Sequence, residues 1–355
     1  MFKKLTGILL IFLAILFVSI SYLSIFGIKT NKFNELIKSQ IVKQDNRIDI
    51  DLKDVFIKLK IKERSFAINA KDIRLHINDQ SQKIKNIDIF LELRSFVTQN
   101  IKIKKIRINS QENEIKNLLK FIRTYKINIP ALYLENSINK GDIIYNIIIN
   151  FEDNNIKQTE INGKIIEAKF NVFSKEIINN ISFDFNYTNE KLEILNLNFN
   201  YKKISFLSEK IFINKKNNLT NIKGSILNKV NTNLISNFFN YDLEKYFDKK
   251  ILVSSKSDFN IILNNKLKIK KYDLSCELNL NDVQFNLKNT NLRNYISNFE
   301  DKIIFKDGLL KFKINNKNIS NINLASKYIL DKNQIPKDIY LSISKEKSKE
   351  IYNLK

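Results

Sequence analysis

The chain has 355 residues but only one Cys (Cys276), one His (His76), two Pro, six Gly and no Trp. A Cys/His zinc site, an intrachain disulfide and a Ser-His-Asp or Cys-His nucleophile system all need residues that are nearly absent here. Neither an enzymatic activity nor a cofactor is expected. Arg is also scarce, with 7 against 53 Lys, while Ile (61) and Asn (52) abound. Lys, Ile and Asn are residues of AT-rich codons, so the net charge of +23 owes much to base composition and is discounted as a functional signal. Nucleic acid is not expected as a partner, because no binding motif is present and the lysines are dispersed along the chain. The hydrophobic fraction of 43% excludes a disordered chain.

What is present begins with a run free of charge from Leu5 to Ile28, LTGILLIFLAILFVSISYLSIFGI. About 20 apolar residues suffice for a membrane-crossing helix. Residues 1–29 are therefore expected to be a membrane anchor, with Leu5, Ile8, Leu13, Leu16 and Phe26 in the apolar layer. Lys3 and Lys4 precede the run and favour an amino terminus left on the cytoplasmic side. The rival reading is a cleaved signal peptide, with Ser19-Ile20-Ser21 as a small-x-small site. Tyr22 to Ile28 carries the apolar run past that site, as an anchor would.

Beyond the anchor, apolar and polar residues alternate, the pattern of half-buried strands. Such runs include Val55-Ile57-Leu59-Ile61, Phe66-Ile68-Ala70, Ile73-Leu75-Ile77, Ile87-Ile89-Leu91-Leu93 and Ile101-Ile103. Later runs include Ile166-Ala168-Phe170-Val172, Phe183-Phe185-Tyr187, Leu195-Leu197-Phe199-Tyr201, Phe259-Ile261-Leu263 and Leu274-Cys276-Leu278-Leu280. Polar stretches such as Lys215 to Asn218 supply turns. Helical spacing predicts short helices at Ile115–Ile122, Ile235–Tyr246 and Leu292–Phe299. The fold class is mainly β: a transmembrane helix, then an elongated, curled antiparallel sheet with a few short helices. The expected domains are 1–29 (anchor), 30–340 (β-rich) and 341–355, a charged tail expected to fray. So many amphipathic strands cannot all be covered by a few helices. Their apolar faces must stack on a second sheet, curl round on themselves or hold apolar ligands.

A family resemblance bears on that choice. The pattern F-x-I-x-A-x-D-I-x-L is carried by Phe66, Ile68, Ala70, Asp72, Ile73 and Leu75. An I-x-I-x-L strand follows at Ile87, Ile89 and Leu91, then an I-x-x-I-x-I strand at Ile103, Ile106 and Ile108. Together with the preceding apolar run, these resemble the start of AsmA-like proteins, most closely the YhdP type. A short helix and a further strand follow in such proteins, matched here by Ile115–Ile122 and Ile127–Leu134. The resemblance covers residues 1–150 well and the rest only in style. It implies a single-pass protein of the bacterial inner membrane with its bulk in the periplasm, whose groove-like sheet shields phospholipid acyl chains in transit between the membranes and so supports outer-membrane integrity. The groove lining it implies is Val55, Ile57, Leu59, Ile61, Phe66, Ile68, Ile73, Leu75, Ile87, Ile89, Leu91 and Ile103. The alternative is a membrane-anchored structural or assembly factor that binds an envelope protein through a sheet edge.

The remaining chemistry-bearing residues read as structural. His76 lies on a polar strand face, and Cys276 falls in phase with Leu274 and Leu278 as a buried thiol. Asn162-Gly163-Lys164 lacks the spaced glycines of a phosphate loop. Asp49, Asp51 and Asp54 lack the glycine and distal Glu of a calcium loop.

Overall fold

A computed structural model describes residues 2–29, 34, 35, 38, 39, 42, 45–93, 102–125, 129–153, 155–172, 176–231, 252–266, 268–280, 283–286, 288, 302–316, 318–329, 335–346 and 349–354. Among these residues twenty strands belong to one antiparallel sheet. The chain divides into two units, residues 1–168 with 185–189 and residues 169–184 with 190–355. Strands β9 (Asn155–Val172) and β10 (Glu176–Thr188) contribute to both.

The first unit opens with helix α1 (Phe2–Ile25), followed by β1 (Ile28–Lys29), β2 (Ile48–Asp51), β3 (Asp54–Lys60), β4 (Ser65–Ile77), β5 (Gln80–Glu92), β6 (Ile103–Ser110) and β7 (Asn113–Glu114). Helices α2 (Ile115–Tyr125) and α3 (Ile129–Ser137) precede β8 (Ile138–Glu152). Hydrogen-bonded neighbours run β1–β3–β4–β5–β6–β8, with the short β2 and β7 attached to β4 and β8. The buried core collects Ile50, Val55, Ala70, Ile73 and Ile84, flanked by Leu52, Ile68, Leu75, Ile87 and Ile108.

The second unit contains β11 (Lys191–Tyr201), β12 (Ile204–Lys216), β13 (Leu219–Asn231), β14 (Leu252–Asn264), β15 (Ile269–Leu280), β16 (Val283–Asn286), β17 (Lys302–Asn315), β18 (Asn318–Ile329), β19 (Lys337–Glu346) and β20 (Lys349–Leu354). Each pairs with its neighbour in sequence, except that β16 shares β17 with β15. In neither unit do the described pairings close into a barrel.

The predicted turn at Lys215–Asn218 joins β12 to β13, with Asn217 and Asn218 both left-handed at φ +47° and +62°. Successive positive φ angles give the primed turn that matches strand twist. Asn189 and Asn78 occupy left-handed positions in other hairpin turns. Asn tolerates this region better than any residue but Gly, which suits a chain poor in Gly and rich in Asn.

Two local expectations are corrected. Ile127–Leu134 was expected as a strand, yet Ile129–Ser137 is helical. Pro130 stands in the first turn, where its missing N–H costs nothing. Ala131 and Glu135 then fall one turn apart on a buried side. There the Glu135 carboxylate accepts a hydrogen bond from Arg123 Nε of α2 at 2.8 Å. The tail expected to fray is instead paired through β19 and β20. The predicted helix at Ile115–Ile122 is α2, whereas those at Ile235–Tyr246 and Leu292–Phe299 lie outside the described residues. Among the described residues no helix is long and apolar enough to cross a membrane, so the predicted anchor stands as a helix only. The backbone of α1 spans 24 residues, and its side chains are described from Leu10 onward.

Two substitutions test this packing. Gly141 has φ +132°, and a Cβ there would meet the Cα of Ala168 at 2.5 Å. Gly141→Ala is expected to destabilise the fold by about 1–3 kcal/mol in urea denaturation; an unchanged midpoint would refute the assigned close approach. Gln82 is 1% exposed, and neither atom of its amide group has a hydrogen-bond partner. Replacing it with the similarly shaped Met is expected to stabilise by about 1 kcal/mol, and a loss of stability would mean that the amide is satisfied.

Candidate functional site

Register decides which side chains share a face. In the first unit Val55 pairs with Ala70, Ile57 with Ile68 and Leu59 with Phe66. Those three face Ile87, Ile89 and Leu91 on β5. On β6, Ile108, Ile106 and Ile103 continue the same rows, and Ile147 and Ile149 of β8 extend two of them. The result is an apolar face five strands wide.

Beyond Ala70 the apolar residues change parity, from 66, 68 and 70 to 73, 75 and 77. A regular strand would send the second set to the opposite side. Asp72, however, has φ +49°, a left-handed residue at which the alternation of faces breaks while the β4–β5 register is kept. Ala70 and Ile73 consequently share one core cluster. Val55, Ile73 and Leu91 are buried, whereas Ile57, Leu59, Phe66, Ile68, Leu75, Ile87, Ile89 and Ile103 are only half-buried. Ile61 is not on the face: it falls in the turn after β3 and is 56% exposed. Eleven of the twelve expected groove residues therefore lie along one side of β3–β6.

The opposite side of these strands is polar but tightly held. Asp88, buried, accepts hydrogen bonds from the side-chain amides of Asn69 and Asn86. Phe90 lies beneath Lys105 and Arg107, whose charged groups are 5.3 and 5.5 Å from its ring centroid.

The second unit repeats the two-faced design in a part of the chain for which no groove residues were predicted. Ile222 pairs with Ile261, and Ile261 with Tyr272. One row over, Ile211, Gly224, Phe259, Leu274 and Ile314 follow one another across five strands. The next row runs Ile226, Ser257, Cys276, Phe312, Ile322 and Ile343. Ile226, Phe259, Ile261, Leu274, Phe312 and Ile314 line an open cleft of about 370 Å³, and all six are half-buried. The inner face of a sandwich would be buried on both sheets, and no second sheet lies over this face among the described residues. The reverse face carries cross-strand ion pairs: Lys210–Glu193 at 3.2 Å, Lys311–Glu277 at 2.7 Å and Lys313–Asp273 at 3.8 Å. Exposed pairs of this kind contribute at most about 1 kcal/mol each, so they mark the wet side rather than hold the fold. Alternation along single strands was visible in the sequence, but the alignment of rows from strand to strand was not.

Of the expected anchor residues, Leu13, Leu16 and Phe26 are 49%, 46% and 62% exposed, and the side chains of Leu5 and Ile8 lie outside the described residues. Every side chain from Leu10 to Val18 is exposed, as are those of Tyr22 and Ile25, and consecutive positions point all round a helix. Gly27, at φ +73°, ends the helix, and its N–H donates back to the Tyr22 carbonyl at 3.2 Å. A Cβ at Gly27 would meet the Ile57 carbonyl oxygen and Lys58 Cγ, both at 2.7 Å. Directly afterwards β1 pairs with β3, Ile28 opposite Ile57. The helix thus passes into the sheet without a linker.

His76 Nε2 lies 3.0 Å from the Asp51 carboxylate at the surface, and the described residues contain no cluster suited to a metal ion. Cys276 is a buried free thiol that accepts a hydrogen bond from Ser257 Oγ at 3.3 Å. Comparison with protein-family models, with curated proteins and with solved structures found no match.

Burial pushes the Cys276 thiol above its ordinary value of 9.0. The nucleophilic thiolate is therefore scarcer at pH 8 than in an exposed cysteine. Maleimide labelling of the native chain is expected to be far slower than in urea, and to rise steeply only above pH 9.0. Labelling at the unfolded rate would move Cys276 out of the apolar row.

Proposed function

We propose that the chain is a membrane-anchored protein whose apolar sheet faces shield phospholipid acyl chains outside the bilayer. What carries the reading is the half-exposed apolar face, above all the cleft lined by Phe259, Leu274 and Phe312. A contiguous apolar patch of this kind on a folded protein marks a binding surface. An acyl chain gains about 0.8 kcal/mol for each CH₂ removed from water, and needs little more than continuous apolar lining. The charged reverse face keeps the sheet in solution.

The anchor is part of the same proposal. A helix apolar on all sides is either buried in a protein core or immersed in lipid, and α1 exposes its large apolar side chains from Leu10 to Val18, with Tyr22 and Ile25. The described side chains alone make too short a span; with Leu5 to Leu9 taken from the sequence, the 24-residue helix of about 36 Å is read as crossing a hydrocarbon layer of about 30 Å. The reading follows the resemblance to AsmA-like proteins in taking the anchor to lie in an inner membrane and the sheet in a periplasm, with lipid moving toward an outer membrane.

The test is photo-crosslinking in living bacterial cells, with benzoylphenylalanine replacing Ile89 or Phe312 on the apolar faces and Lys105 or Lys313 on the reverse faces. Phospholipid adducts are expected at Ile89 and Phe312 and not at the lysine positions. Protein adducts without lipid at the first pair would overturn the lipid reading in favour of a protein partner. Equal lipid labelling at all four would indicate adventitious contact only.

A further inference from the structure

The reverse face of β3 gathers lysines at the point where α1 ends. Lys58 Nζ donates to the carbonyl oxygen of Ile25, the last residue of the helix, at 3.2 Å. It also lies 6.0 Å from the Phe56 ring centroid, and Lys71 Nζ approaches the same ring at 5.2 Å. Lys29 is placed opposite Phe56 by register. Two carboxylates are nearby, and both are engaged: Asp54 pairs with Lys29, and buried Asp88 is held by Asn69 and Asn86. No described acidic side chain forms an ion pair with Lys58, Lys60 or Lys71. The Lys58 ammonium is pushed below its ordinary value by burial and then by the charges of Lys71 and Lys60. Asp88, whose amide partners are neutral, opposes that shift only in part, so positive charge is in excess at this point.

Position supplies the second half of the argument. The exposed rings of Tyr22 and Phe26 lie 5.4 Å apart at the end of α1. Aromatic side chains concentrate where hydrocarbon gives way to headgroups. Along the molecule the order is apolar helix, aromatic pair, then lysines fixed to the helix end by the Lys58 bond. Gly27 and the β1–β3 pairing leave no slack that would let the lysines drift from that level. Juxtamembrane lysines are drawn to anionic lipid.

We propose that Lys58 and Lys71, on either side of Phe56, form a binding site for the phosphate of an anionic phospholipid headgroup at the membrane surface. The inference rests on the anchor reading, and its test separates the two. The absence of Trp from the chain makes Phe56→Trp a single-site reporter in the full-length protein. Flotation with dioleoylphosphatidylcholine vesicles first tests the anchor. The reporter is then placed in nanodiscs of that lipid, with or without dioleoylphosphatidylglycerol, each containing a nitroxide-headgroup lipid as quencher.

Quenching is expected to be about twofold stronger with the anionic lipid. Lys58→Gln/Lys71→Gln is expected to abolish the difference, and Lys215→Gln/Lys216→Gln, at the end of β12, to preserve it. Failure to float would overturn the anchor and this site together. Flotation with quenching indifferent to the anionic lipid, or to loss of Lys58 and Lys71, would overturn the site and leave the anchor standing. Inorganic phosphate reproducing the response in purely zwitterionic discs would overturn the headgroup assignment.

Discussion

In an antiparallel sheet a slip of one residue between neighbours exchanges the two faces. Every other property of this molecule depends on the register being held. Rows such as Ile57–Ile68–Ile89–Ile106–Ile149 and Ser257–Cys276–Phe312–Ile322 exist only because five or so strands in succession keep the same alignment. The hairpin turns hold it. At Asn189-Glu190, Lys202-Lys203 and Asn217-Asn218 two consecutive residues take positive φ, fixing a tight connection in which the strands cannot slide. Where the sequence itself slips phase, at Asp72, a single left-handed residue absorbs the offset, and Ala70 and Ile73 stay in one core cluster.

This explains which parts of the fold were legible in the sequence. Alternation is a property of one strand at a time, and it located most strands. The helix at Ile115 was legible because its stripe repeats at helical spacing. Ile127–Leu134 misled because Ile127, Ile129, Ala131 and Tyr133 alternate as in a strand, while the deciding contact, Arg123 to Glu135, lies between two elements. Ile61 misled because alternation carries no mark of where a strand stops. The cleft around Phe259 and Phe312 was invisible for another reason: its lining comes from four strands spread between Ile226 and Ile314, and only register brings them side by side.

The two faces also divide the chemistry. Polar side chains on the reverse side hydrogen-bond one another within and across strands, as Asn69, Asp88, Asn86 and Asn109 do, or lie over aromatic rings, as Lys105 and Arg107 do over Phe90. The apolar side has no such closure among the described residues, and most of its side chains stop at half-burial, with Val55, Ile73, Leu91 and Cys276 among the buried exceptions. A chain with one His and one Cys can still carry a function in this form, because binding a hydrocarbon surface asks for area and continuity rather than for a particular reactive atom.

The meander of the second unit bears on how such a chain can change over time. From β11 to β14 each strand bonds only to those before and after it, so the sheet is close to a one-dimensional array whose cohesion is a sum of neighbour terms. Excising or duplicating a whole hairpin would leave every other pairing intact and return both faces to their original sides, whereas removing a single strand would reverse the direction of all that follow. Length can therefore be gained or lost in steps of two strands, and the width of the apolar surface becomes a quantity that evolution can adjust by copying rather than by redesign.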